Sequence, residues 1–182
     1  MLPQLSNGLF LTDGGMETWL IFSAGFDLPE FASFPLVDDP RGVAALRAYY
    51  APYVELARQH GVGLVLDAPT WRASAHWGER LGYGSAELDA VNRRAVALVE
   101  DIRTEAGDDL RIVIGGCVGP RADAYRADQQ LSVDETFAYH RPQIETLSQT
   151  AADFVDALTL TYVEEAIGIA RAARDADMPV AK

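Results

Sequence analysis

Apolar positions along the chain follow two alternating patterns. Short unbroken runs that end in small or polar clusters occupy residues 8–13 (GLFLTD), 63–67 (GLVLD), 111–117 (RIVIGGC) and 153–158 (DFVDAL), and a fifth, 178–182 (MPVAK), begins the same way. Continuous runs, rather than strict alternation, predict strands covered on both faces, as in parallel sheets. Between them the apolar spacing turns helical. Residues 39–60 carry Val43, Leu46, Ala48, Tyr50, Val54 and Leu56. A second helix, capped by Ser85, runs through Leu88, Val91, Val96, Leu98 and Ile102. Ser132 and Glu135 have the spacing of a capping box before Phe137, Ile144 and Leu147. Residues 162–177 complete the set with Val163, Ala166, Ile167 and Ala170.

Strand alternating with helix predicts an α/β fold built on a parallel sheet. Two architectures fit: a doubly wound open sheet, or the first half of a TIM (β/α)8 barrel. A whole barrel takes about 250 residues, and this chain has 182. A barrel reading therefore makes residues 1–182 a single N-terminal barrel portion.

Composition narrows the partners. The net charge is −12, which argues against nucleic acid and anionic membrane surfaces. No apolar run approaches the length of a membrane span, and the first residues lack a signal-peptide pattern. The single cysteine, Cys117, cannot form an internal disulfide, and a cytoplasmic location is the expectation.

In both architectures ligands sit beyond the C-terminal ends of the strands. There the chain places Asp13-Gly14-Gly15, Asp67 with Trp71 and Arg72, Cys117 with Gly119, and Leu158-Thr159 with Thr161. Asp13 offers a carboxylate to a cation such as an amino acid's ammonium. The glycines let backbone approach a ligand, and the following helix start offers amides to an anion. The competing reading is a tight turn whose Asp caps the helix. Trp71 is a candidate pocket wall and Arg72 a candidate carboxylate holder, against a core tryptophan beside a surface arginine. Cys117 is most simply packing. His60, His76 and His140 are scattered and show no zinc pattern.

Four stretches in this order, TDGGMET (12–18), APTWRAS (68–74), GGCVGP (115–120) and YHRPQIETL (139–147), resemble the homocysteine S-methyltransferase family, which includes betaine–homocysteine methyltransferase. The resemblance implies a barrel in which zinc binds homocysteine as a thiolate. The thiolate attacks a methyl group on a sulfonium or quaternary ammonium donor, a step of methionine biosynthesis. It implies substrate contacts at Asp13, Gly14 and Trp71, with Thr159 as a polar neighbour. The family's glutamate at the end of the fourth strand falls at Leu158. That exchange removes a charge-assisted contact worth about 1.5–3 kcal/mol. Either Asp13 or Asp67 compensates, or the acceptor differs. The family's zinc cysteines lie later in the barrel, and Cys117 matches none of them, so no metal ligand is expected in this chain. Two expectations follow: a methyltransferase portion inactive alone, or a self-associating half-barrel (a homo-oligomer) with a binding or scaffold role. A weaker third reading uses Asp13 and Asp67 as an acid–base pair.

Overall fold

The computed structural model describes residues 2–5, 8–126 and 129–181. The strands are β1 (Phe10–Thr12), β2 (Gly63–Asp67), β3 (Ile112–Val118), β4 (Phe154–Ala157) and β5 (Val180–Ala181). They form one sheet in the order β1-β2-β3-β4-β5, and every neighbouring pair is parallel. A doubly wound sheet reverses its strand order at a switch point. This sheet never does, so it curls as the first half of a barrel. The strands lie within a residue or two of their predicted positions. Lys182 falls outside the described residues.

The helices are α1 (Met16–Phe22), α2 (Pro40–His60), α3 (Ala75–Arg80), α4 (Ser85–Ala106), α5 (Val133–Ser148) and α6 (Val163–Asp175). Asp39 caps α2 by accepting from the Gly42 amide at 3.1 Å, and Gly61 closes it in the left-handed region at φ 62°. Ser132 and Glu135 form the expected reciprocal box at the start of α5. The cap of α4 differs from expectation. Gly84 occupies it, its amide donating to Glu87 at 2.8 Å, and Ser85 is the first helical residue. Helix α5 runs unbroken across Pro142. None of the described helices is long and apolar enough to cross a membrane.

The sheet's two faces have different company. Leu64, Leu66, Ile112, Ile114, Val155 and Ala157 pack outward against the helices in the main core. Phe10, Val65, Val113 and Phe154 point to the inner side, where Leu2 packs against them. Both faces of β3 are buried along its whole length, which is why its sequence reads as a continuous apolar run. Helix α6 turns differently from the predicted stripe. Its buried face is Glu165, Gly168, Ile169, Ala172 and Ala173, while Val163 and Ile167 are exposed. The 165/168/169/172 spacing is still one helical face, but it carries an acid that finds a buried partner.

Candidate functional site

Asp13, Gly14, Trp71 and Thr159, the four residues singled out from the sequence, line one pocket of about 260 Å³ at the C-terminal ends of the strands. Asp67, Cys117 and Leu158 line it too, whereas Arg72 and Thr161 do not. Among the described residues, three carboxyl side chains (Asp13, Glu17 and Asp67) face this space, and no basic side chain does.

The Asp13 turn is held from two sides. Its Oδ1 accepts from the Asp67 amide at 2.9 Å, joining the ends of β1 and β2. Its Oδ2 accepts from the Tyr49 hydroxyl at 3.0 Å. The same hydroxyl accepts from the Gly14 amide at 3.0 Å, and Tyr53 donates to the Gly14 carbonyl at 3.1 Å. Tyr50, fully buried, donates to the Asp67 carbonyl at 2.6 Å. Helix α2 therefore fixes both strand ends. Apolar periodicity marks Tyr50 as a core position and does not single out Tyr49 and Tyr53. Their i, i+4 spacing on one helix face was the available signal.

The glycines divide the work. Gly15 sits at φ 71°, a left-handed conformation that disfavours other side chains. Gly14 has no such constraint, and a Cβ there would meet nothing within 4 Å. Its bareness leaves room in the pocket. Its amide, however, is occupied by Tyr49 and is not free for a ligand. Helix α1 has only seven residues and starts without a side-chain cap, so Asp13 does not cap it.

Burial pushes Asp13 up to about 6, opposed by the hydrogen bonds from the Asp67 amide and Tyr49. Asp67 is pushed well up by burial, by Asp156 and by Asp13, and Asp156 is raised by burial. Cys117 is buried and its thiol is pushed well up by burial and then by the neighbouring acid Asp67. A neutral thiol in that setting is a packing group, not a nucleophile.

The pocket's opposite wall is aromatic and apolar: Phe31, Trp71, Tyr125 and Leu158. Trp71 is oriented by its Nε1 donating to Thr159 Oγ1 at 3.1 Å. Thr159 holds φ 60°, a strained value for a β-branched residue, and its hydroxyl donates to the Leu158 carbonyl at 2.6 Å. Arg72 has another task. Its guanidinium donates to the Glu30 carbonyl and lies 3.8 Å over the Trp77 ring. It clamps the 29–31 turn, and the expectation that it holds a ligand carboxylate gives way to that packing role.

The described residues include no group of three or more His, Cys, Asp or Glu able to hold a metal ion. Cys117, with its raised thiol, does not suit one. The donor set of the described residues does not fit a zinc ion.

A family model described as homocysteine S-methyltransferase matches residues 10–181. A search of curated proteins gave no match. Among solved structures, the oxidized form of the homocysteine methyltransferase MmuM from Escherichia coli is similar, with a TM-score of 0.75 and 24% identity over 93% of this chain and 59% of that one. The metallated form of the same protein gives 0.74 and 22%, over 96% and 61%. At that identity the likeness establishes the fold, and this chain spans about six-tenths of those proteins' length. With the family match running through all five strands, the chain belongs to the homocysteine S-methyltransferase family.

Proposed function

We propose that this chain forms the acceptor-binding part of a methyltransferase that transfers a methyl group from a sulfonium or quaternary ammonium donor to the thiol of homocysteine. The observation that carries the reading is the convergence of Asp13, Gly14, Trp71 and Thr159 on one pocket. Carboxyl groups facing an aromatic wall form a site for a cation, because the charge is matched by the acids and by the negative ring faces. The ammonium group of an amino acid meets that description. Asp13, ionised above about pH 6, contributes negative charge, and the bare Gly14 leaves room beside it. The family relationship supplies the reaction class.

The test is calorimetric titration of L-homocysteine under reducing conditions. Wild type binds. Asp13→Asn weakens binding by roughly 10–100-fold, the loss of one charge-assisted contact. An unchanged affinity removes the assignment of Asp13. Because Asp13 must be ionised, affinity falls as pH drops through about 6.

A second reading is favoured by the sheet margins. Among the described strands, β1 and β5 are each paired on one side only, and Val180, Val163 and Ile167 are exposed. Such margins favour association, consistent with a self-associating half-barrel. A monomer in sedimentation velocity at tens of micromolar would eliminate it.

A further inference from the structure

Leu158 stands where the family's fourth-strand glutamate is expected, and it is 36% exposed toward the pocket. An alkyl group there cannot meet an ammonium. Two acids meet at this end of the sheet: Asp67, which lines the pocket, and Asp156, whose carboxyl interacts with that of Asp67. Asp67 is the last residue of β2, pairs in register with Gly115, and lines the pocket. Asp156 is on β4, in register with Cys117, two residues before Leu158 and hence on the same face of its strand. The two carboxyl groups interact directly.

Asp13 and Asp67 differ in what their oxygens do. Both Asp13 oxygens accept hydrogen bonds, from the Asp67 amide and from Tyr49. Among the described residues, Asp67 Oδ1 is sealed from water and receives no hydrogen bond from an N–H or hydroxyl donor; its carboxyl neighbour is Asp156. Asp67 Oδ1 lies in space that any Cβ at position 115 would fill. A buried carboxylate oxygen without a donor is costly. Here a glycine keeps the space open around it, at a pocket to which the described residues bring no basic side chain. Among the described residues, the arrangement lacks a cationic hydrogen-bond donor.

We propose that the Asp67–Asp156 carboxyl pair is the counter-charge for the ammonium group of the amino-acid acceptor, replacing the carboxylate that Leu158 does not provide. The inference rests on the proposed acceptor-binding function. It places the ammonium deeper between the strands than a residue-158 carboxylate would. The pair carries a proton in the empty pocket, and an arriving ammonium displaces it. Among the described residues, the titratable groups near the pair are Asp13 just after β1, Glu17 on α1, Tyr49 and Tyr50 on α2, and Cys117 on β3. These are acids or neutral donors, and none of them supplies a positive charge in the ligand's place.

The experiment compares two ligands by calorimetry at pH 7.5: L-homocysteine, and 4-mercaptobutanoate, which has the same thiol and carboxylate but no amine. Asp67→Asn, nearly isosteric, should weaken homocysteine at least tenfold and leave 4-mercaptobutanoate within twofold. Asp156→Asn should do the same, which guards against a folding artefact in either variant; far-UV circular dichroism and melting temperature check both. Adding Leu158→Glu to Asp67→Asn should recover most of the lost homocysteine affinity. Wild type should release a proton on binding homocysteine, read from titrations in buffers of different ionisation enthalpy, and Asp67→Asn should not. If wild type binds homocysteine and Asp67→Asn binds it equally well, the pair's role is overturned while the acceptor reading stands. Equal loss for both ligands, or no recovery in the double variant, also overturns the pair's role. If wild type binds no homocysteine, the acceptor reading itself falls, and the pair's role with it.

Discussion

Glu165 and Asp67 are both acids carried into the protein interior, yet their surroundings assign them opposite kinds of work. Glu165 is 1% exposed on the inner face of α6, and its Oε1 is met by His140 Nε2 at 2.9 Å and by the Arg121 amide at 2.8 Å. Thr136 on the same α5 reaches across to the Glu164 carbonyl at 3.0 Å, and Gly168 packs so closely on Thr136 that a Cβ would not fit. That cluster joins two helices and the loop after β3. Asp67 instead ends a strand at the pocket, beside a second carboxyl, Asp156, with an oxygen that receives no N–H or hydroxyl hydrogen bond among the described residues. A buried acid bonded to two segments of its own chain holds a fold together. A buried acid left short of a donor at a cavity points to something that is to be bound.

The comparison can be broken most forcefully at Glu165. Glu165→Ala leaves His140 and the Arg121 amide buried without their acceptor, and should cost about 3–5 kcal/mol in urea unfolding. A loss below about 1 kcal/mol would mean that the pair does not hold the helices. Tyr49→Phe is next. It removes the acceptor of the Gly14 amide and a donor to Asp13, for about 1–3 kcal/mol. Because the Tyr49 hydrogen bond lowers Asp13, its removal should raise Asp13 above about 6. Carboxyl-carbon NMR titration reads that shift directly, and no movement would show that the tyrosine does not reach the acid in solution.

Asp13 itself gives a pH signature. Its folded value is about 6 against 3.8 unperturbed, so the folded state binds the proton more tightly than the unfolded chain does. Its contribution to stability is therefore fully present below about pH 3.8 and is lost as pH rises through about 6. Wild type measured against Asp13→Asn should lose stability across that window, by at most about 1.4 kcal/mol per pH unit. A flat difference curve would place Asp13 in water. The smallest effect is expected at the aromatic wall. Trp71→Phe removes the donor to Thr159 for about 0.5–1.5 kcal/mol, and it should loosen homocysteine binding only severalfold.

Much of this architecture was legible in the chain. The unbroken apolar run at 111–117 announced a strand covered on both sides, and β3 is buried throughout. The Ser132–Glu135 spacing announced its capping box because both partners lie within one turn. Glycine ends α2 at position 61 and shapes the Asp13 turn at position 15, and local sterics alone require both. The order of strand-end motifs placed Asp13, Gly14, Trp71 and Thr159 at the C-terminal edge of a parallel sheet, since in such a sheet every strand points the same way.

What only the tertiary structure decided depends on distance in sequence. Whether the sheet is doubly wound or curls one way is a matter of which strands neighbour which, and local pattern is silent on it. Tyr49 and Tyr53 reach Asp13 and Gly14 from more than thirty residues away. The stripe that α6 buries is set by His140 on α5, which admits Glu165 and leaves Val163 and Ile167 outside. Asp156 read as one polar residue inside an apolar strand. The pairing of β2, β3 and β4 set it against Asp67. Local sterics and apolar periodicity act within a few residues and are written in the sequence. The charge state of a carboxyl depends on what is left around it once water is gone, and that is settled only when distant segments pack.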